Sequence, residues 1–282
     1  MAGAFPRNPA KPLEEVLPEK SLAVSPSAPN MLKPALFRDA VAKVAGAGRS
    51  KGAGAALVIP DYAARMAVLD FEDFPQGEAE RIALLRFRLR KSVPFHIDEA
   101  QLAYAVQFEE PQHVEVLAVA IAHPILNEYE TLFTDAGYRL GLVTPSTLAA
   151  LPLYSRSEGG LTLVAKAAGN TLSVLLLEQN RVRLVRCIDL SGSEVGDSDE
   201  ATAVWDEGNI LSLLQQTIAY AEDQIGEPAR RLLLCGFGTE TDPVGALMHR
   251  EFGLQYEAVR SKFGLASQQN AGVLGLLEQY AA

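Results

Sequence analysis

Apolar and polar residues follow different periods along this chain of 282 residues, and each change of period marks an element. Residues 1–30 keep no period: six prolines interrupt them and Leu22, Ala23 and Val24 form one short apolar island, so they are expected to be mostly extended or disordered. A helical stripe runs over residues 34–45, with Pro34 suited to its first turn. The Gly/Ala/Lys run of residues 46–54 predicts a loop, residues 55–59 a strand closed by Pro60 and Asp61, and residues 66–71 a second strand. A helix follows over residues 77–92 with Ile82, Leu85 and Leu89 on one stripe, flanked by Arg81 and Arg88 on one side and by Arg86 and Arg90 on the other. Val93, Pro94 and Phe95 end it, because the residue before a proline is pushed out of the helical region. Residues 102–108 alternate as a strand does, and residues 114–122 are apolar almost without a break, which predicts burial on both faces.

A helix over residues 124–136 stopped by Gly137, a strand over 138–143 and a short helix over 145–154 come next. Three successive strands then cover residues 161–167, 171–178 and 182–190, joined by turns at Gly169-Asn170 and Gln179-Asn180 that suit tight hairpins. After a polar loop, a long helix over 208–225 places Ile210, Leu213, Leu214, Thr217 and Ala221 on its inner positions. Residues 231–235 predict a buried strand, Gly236-Phe237-Gly238 a glycine turn, and Asp242-Pro243 the cap and first turn of a helix to about residue 252. A strand near Tyr256 and a helix over 268–280 close the pattern. The second half therefore runs strand, strand, strand, helix, strand, helix, strand, helix, and the first half runs helix, strand, inserted α/β unit, helix.

Composition narrows the class. With 48% hydrophobic and 21% charged residues the chain can bury a core in one large domain or two ordinary ones. Its 25 Lys and Arg against 35 Asp and Glu give a net charge of -10, which argues against nucleic acid as the partner. Cys187 and Cys235 lack metal-ligand spacing, and His96, His113, His123 and His249 are scattered with no Ser or Cys to pair with. No run reaches the ~20 apolar residues of a membrane span, so a cytoplasmic protein, peripheral at the inner membrane through partners, is expected.

The inserted unit carries a resemblance. The string ERIALLRFRLRKSVPFHIDEAQLAYAVQ holds Val93-Pro94-Phe95, Asp98-Glu99 and Tyr104-Ala105-Val106, and it resembles the inserted subdomain of the PilM family, the actin-like assembly proteins of type IV pili. Residues 55–60, the string VEVLAVAIAHPILNEYETLFTDAGYRLGLVTPSTLAALPLY and the C-terminal ASQQNAGVLGLLEQY are similar to other parts of that family, so the likeness spans residues 20–282. It implies an α/β, actin-like (ribonuclease H-like) two-domain fold: residues 31–155 form a truncated first domain with an inserted α/β subdomain over about 62–144, and residues 156–282 form the second. In plain physical terms Val93-Pro94-Phe95 is a corner: Pro94 stops the helix, Phe95 packs back on Leu85 and Leu89, and Asp98 caps the next turn. A second reading makes the arginine-flanked helix a docking surface, with Arg86, Arg88 and Arg90 as its partner-binding residues.

The chain departs from the family at the chemistry. An actin-like ATPase uses two glycine-bearing hairpins whose N–H groups hold phosphate, each with an Asp for metal or water. No DxG stands near the start, so the opening strands are missing, whether shed or preceding this chain. In the second hairpin Ala165, Lys166 and Ala167 stand where the Asp would be. What remains of a nucleotide site is Lys166, Asn170, Gly236 and Gly238, each with a plain turn-forming or packing role as its alternative. No catalytic residue, no metal ligand and no resident cofactor is expected, with ATP a candidate only if the chain is a truncated form.

The resemblance thus implies a non-catalytic scaffold of a bacterial type IV pilus or type II secretion inner-membrane assembly platform. Its partner would be the cytosolic N-terminal tail of a PilN-like single-pass inner-membrane protein, with other pilus platform proteins as further contacts. The alternatives are a nucleotide-binding actin-like ATPase or kinase whose first phosphate hairpin is missing, and a cell-division interaction module of the same superfamily.

Overall fold

The computed structural model describes residues 2–5, 8–45, 52–154, 160–179, 181–190 and 207–280. Most of the loop expected over 46–54, Asn180 of the second turn and the polar loop before the long helix lie outside them. The chain divides into two compact units, one ending at Ala149 and one running over Ala150–Tyr280.

In the first unit, Ala2–Phe5 (β1) and Asn8–Glu14 (β2) pair antiparallel, so the proline-rich start is extended and laddered. In a two-stranded ribbon each strand keeps one open edge, where the missing proline N–H is tolerated. Pro34–Ala45 (α1) and Gly54–Ile59 (β3) follow the predicted stripe and strand. The insertion is Arg65–Phe71 (β4), Glu78–Leu89 (α2), Ala100–Glu110 (β5) and His113–Ala122 (β6). His123–Asp135 (α3), Arg139–Pro145 (β7) and Ser146–Ala149 (α4) return the chain to its host sheet. There β3 and β7 pair in parallel from Gly54 opposite Arg139 to Ile59 opposite Pro145. Leu57 and Ile59 pack with Phe37 of α1 and with Ile125, Leu126, Tyr129 and Leu132 of α3.

The inserted sheet has the order β4-β6-β5, antiparallel throughout. Strand alternation aims Phe71, Val114, Val116 and Leu102 at the α2 stripe, where Leu85 and Leu89 are buried. As expected β6 is buried along most of its length, yet one of its buried residues is Glu115. Phe95 packs against the cluster that holds Leu85 and Leu89.

The corner differs in detail. Helix α2 ends at Leu89, before Val93, because the Ser92 N–H and hydroxyl both donate to the Leu89 carbonyl, and satisfying that carbonyl closes the last turn. Asp98 caps nothing: it sits inside a 3-10 turn, Ile97–Glu99, and pairs at 3.0 Å with Arg90. The short helix expected over 145–154 is split into α4 and a 3-10 turn, Leu151–Leu153, because Pro152 cannot supply a helical N–H.

The second unit has the strands Leu161–Ala168 (β8), Thr171–Glu178 (β9) and Arg181–Asp189 (β10), then Glu207–Tyr220 (α5), whose last turn widens over Ala221–Ile225. Ala229–Cys235 (β11), Thr241–Phe252 (α6) and Gln255–Ala258 (β12) follow. A two-residue ribbon, Arg260–Ser261 (β13) with Gly264–Leu265 (β14), has no counterpart in the periodicity, being too short to show any. Ala271–Tyr280 (α7) is the last helix. The sheet order is β10-β9-β8-β11-β12, antiparallel on the hairpin side and parallel from β8 to β12.

Leu163, Ala165, Val174, Leu176, Leu232 and Leu234 form one face of this sheet and bury Ile210 and Leu214 of α5 with Val244 and Met248 of α6. A Cβ added at Gly245 would lie 2.1 Å from the Tyr256 ring, so only glycine lets α6 settle this close to β12. Helix α6 starts at Thr241, which leaves Asp242 inside the first turn rather than at the cap.

The segment before α1 is fixed to the first unit by one fully buried side chain. Asn30 donates from Nδ2 to the Ser25 and Ala28 carbonyls, and its Oδ1 accepts from the Ser25 N–H and from the Tyr129 hydroxyl. Its backbone N–H and that of Met31 donate to the Glu128 carboxylate. Burial pushes the Tyr129 phenol well above its ordinary range, and the Glu128 charge adds to the effect, so the hydroxyl stays protonated and donates. Leu22 bridges Met31 rather than β3, whose edge away from β7 pairs with no strand among the described residues. Replacing Asn30 with Ala orphans buried donors and acceptors, and we expect a loss of about 1–3 kcal/mol, larger than for Tyr129→Phe, which removes a single bond. Urea unfolding of both variants checks the order; equal midpoints would contradict it.

Candidate functional site

Strand β8 lies at the centre of the second unit's sheet and ends in a two-residue turn, where Ala168 and Thr171 pair across Gly169 and Asn170. Gly169 takes the left-handed position with φ 56°, and the Asn170 carbonyl accepts from the Leu190 N–H. Asn170 therefore turns the chain and holds the end of β10. Lys166 stands opposite Ser173 on β9 and Cys235 on β11. Alternation puts it on the face away from α5 and α6, and it is fully buried. No part of it reaches solvent.

Just beyond Cys235 the backbone turns at Gly236, φ 80°. A Cβ there would fall 2.6 Å from the Ala167 carbonyl oxygen and 3.2 Å from the Gln268 backbone nitrogen. Gly238, φ 58°, opens the 3-10 turn that leads into α6, and a Cβ on it would meet no atom within 4 Å. The structure thus brings Lys166, Gly169, Asn170 and Gly236 to one end of the sheet.

It also brings a residue the sequence reading passed over. Ser267 Oγ accepts the N–H groups of Gln269 and Asn270, while Asn270 Oδ1 accepts the Ser267 N–H. This reciprocal capping box, with Asn in the place of the more usual Glu, leads into the last helix and holds Gln268 in the turn just before it. Gln268 Oε1 then accepts the Gly169 N–H at 3.1 Å. The backbone donor offered by the hairpin turn is met by the chain's own side chain. The only sequence sign was the Ser-x-x-Asn spacing, whose capping role does not reveal where Gln268 points.

On the first unit, α2 displays its basic residues unevenly. Arg88 donates from Nη1 to the Asp70 carbonyl and lies over the Phe71 ring at 4.9 Å. Arg90 is tied to Asp98, an exposed pair of small energetic weight. Arg86 is half-buried, and its Nε has no hydrogen-bond partner among the described residues. Between them Phe87 is 72% exposed, an aromatic ring standing out of a basic helix. The edge of β3 away from β7 carries no strand among the described residues.

No family model and no curated protein matches the sequence. Solved structures do. A chain of the PilM-PilN type IV pilus biogenesis complex superposes over 100% of this chain and 94% of its own with a TM-score of 0.73 at 17% identity. The fold is PilM-like and actin-like. Weaker likenesses are to the cytoplasmic domain of EpsL, an inner-membrane component of the type II secretion system of Vibrio cholerae (14% identity, 73% of this chain and 68% of that one, TM-score 0.44), and to a Bacteroides thetaiotaomicron protein with an actin-like ATPase fold (10% identity, 79% and 75%, TM-score 0.48). Among the described residues no helix is long and apolar enough to cross a membrane.

Because Gly236 combines a left-handed φ with a backbone oxygen in its Cβ position, Gly236→Ala is expected to cost about 1–3 kcal/mol. Gly238→Ala, strained but uncrowded, should cost less. Chemical denaturation of the two variants reads the difference, and an undisturbed Gly236→Ala midpoint would refute the close approach.

Proposed function

We propose that this chain is a non-catalytic actin-like scaffold of a bacterial type IV pilus or type II secretion inner-membrane assembly platform. The observation that carries the reading is the likeness along the whole chain to the PilM-PilN complex. On this reading the protein is cytoplasmic, sits at the inner membrane through partners, and binds the cytosolic N-terminal tail of a PilN-like single-pass protein. Other platform proteins are further contacts. The open edge of β3 offers backbone groups to an incoming strand, and Arg86, Arg88 and Arg90 supply positive charge on a chain of net charge -10. Apolar burial would give such a complex most of its affinity and charge most of its association rate.

The absence of turnover is part of the same proposal. Phosphoryl transfer is mostly positioning plus charge stabilisation, and the second hairpin offers Ala165, Lys166 and Ala167 where a metal-orienting carboxylate is needed. Lys166 is sealed in the sheet and the Gly169 N–H is taken by Gln268. The surviving hairpin and the glycine turn at Gly236 favour a second reading, a nucleotide-binding ATPase or kinase that needs a further hairpin. A cell-division module of the same superfamily would share the scaffold and differ in partner.

Two measurements separate these readings. A fluorescent peptide copying the cytosolic N-terminal tail of a PilN-like single-pass protein should bind saturably, with affinity about tenfold weaker for Arg86→Glu with Arg90→Glu, a loss of ~1.4 kcal/mol. No binding to wild type rejects the pilus partner, and equal binding to both rejects the arginines. Magnesium-dependent ATP hydrolysis should stay at background; turnover lost on Lys166→Ala or Gly236→Ala would restore the enzyme reading.

A further inference from the structure

The inserted sheet of the first unit gathers three metal-ligating side chains that have no part in the nucleotide-type site of the second. Asp70 on β4 is directly opposite Glu115 on β6, and His113 precedes Glu115 by two positions, so all three share one face. A bulge in β5 between Val106 and Phe108 sets Phe108 opposite Glu115 and brings its ring edge-on to His113 at 5.5 Å. His113 Nε2 is 3.4 Å from Asp70 Oδ1 and 3.6 Å from Glu115 Oε1, and the three ligand atoms all lie within 4.8 Å of one another.

The charges in this arrangement are unusual. Carboxylates directly opposite each other across two strands repel, and the Glu115 side chain is only 2% exposed, so its charge sits largely out of water. Arg88 is engaged with the Asp70 carbonyl and with Phe71, which alternation places on the α2 face. A divalent cation at His113 Nε2 would offset both carboxylates at once.

The spacing fits that cation. Nitrogen and oxygen ligands about 2.0–2.2 Å from a tetrahedral zinc ion are separated from each other by about 3.3–3.6 Å. Two of the three separations here already fall in or beside that window, before any side chain moves. One imidazole and two carboxylates leave a fourth position for water, and this donor set suits zinc better than the all-oxygen shells of calcium or magnesium. We propose that Asp70, His113 and Glu115 form a zinc-binding site that clamps β4 to β6 beside the β5–β6 turn of the inserted sheet. It would be a site of stability and not of turnover, and it stands independently of the partner proposed above.

Zinc titration into the full chain against a chelator of known affinity tests it. One zinc per chain is expected, with a thermal unfolding midpoint that rises as zinc is added. His113→Ala and Asp70→Asn should each weaken uptake by about tenfold or more, since removing even an outer partner of a metal ligand costs that much. Asp70 is exposed, so its Asn variant keeps the fold and protects the test from a misfolded Glu115→Gln. Absence of stoichiometric uptake overturns the site, as does uptake left unchanged by both variants, which would place the metal on the cysteines or on other histidines.

Discussion

The constraint that organises the end of β8 in the second unit is a contact between backbones. Gly236 passes so close to the Ala167 carbonyl that no side chain fits between them, and the same glycine lies against the backbone of Gln268. Three segments therefore meet at the end of β8: the hairpin, the turn after β11 and the capping box that leads into α7. The parallel ladder from Ala229 opposite Leu161 to Cys235 opposite Lys166 delivers the glycine to that point. Once there it fixes where Gln268 sits, and Gln268 in turn meets the hairpin donor. In actin-like enzymes a hairpin of this kind keeps its N–H groups for phosphate. Here the chain's own Gln268 accepts the Gly169 N–H, so the same contact that places the turn also engages one of its donors.

Much of the architecture was legible because it rests on local pattern. The stripe over 34–45, the alternation from Leu102 and the Gly169-Asn170 turn each depend on neighbours within a few residues, and each element stands where the pattern put it. What escaped the sequence rests on longer reach. Ser92 ended α2 through one carbonyl, ahead of the more conspicuous Pro94. Asp98 looked like a cap and found Arg90 across the corner. Gln268 and Gly169 are 99 positions apart, and His113 and Asp70 are 43 apart, so no spacing rule links them. Glu115 was hidden differently: one acidic residue in an apolar run reads as an interruption until the partner strand sets Asp70 opposite it.

The connectivity of the first unit has a consequence for how it assembles. Strands β3 and β7 are parallel neighbours, yet Ala55 meets Leu140 only after the whole insertion has been threaded between them. The pairing of β5 with β6 closes at Glu110 and His113 over Pro111 and Gln112, the latter in the left-handed region at φ 65°. Closing a long loop costs chain entropy before its contacts give anything back, whereas a two-residue reversal costs little. The hairpin of the insertion is therefore expected to condense first and to draw the distant ends of the host sheet together, so that the guest domain acts as the folding nucleus of its host. Pulse-labelled amide exchange reads that order directly, and simultaneous protection of both sheets would refute it. A chain interrupted between β6 and β7 would then keep an ordered insertion while losing the sheet edge that frames it.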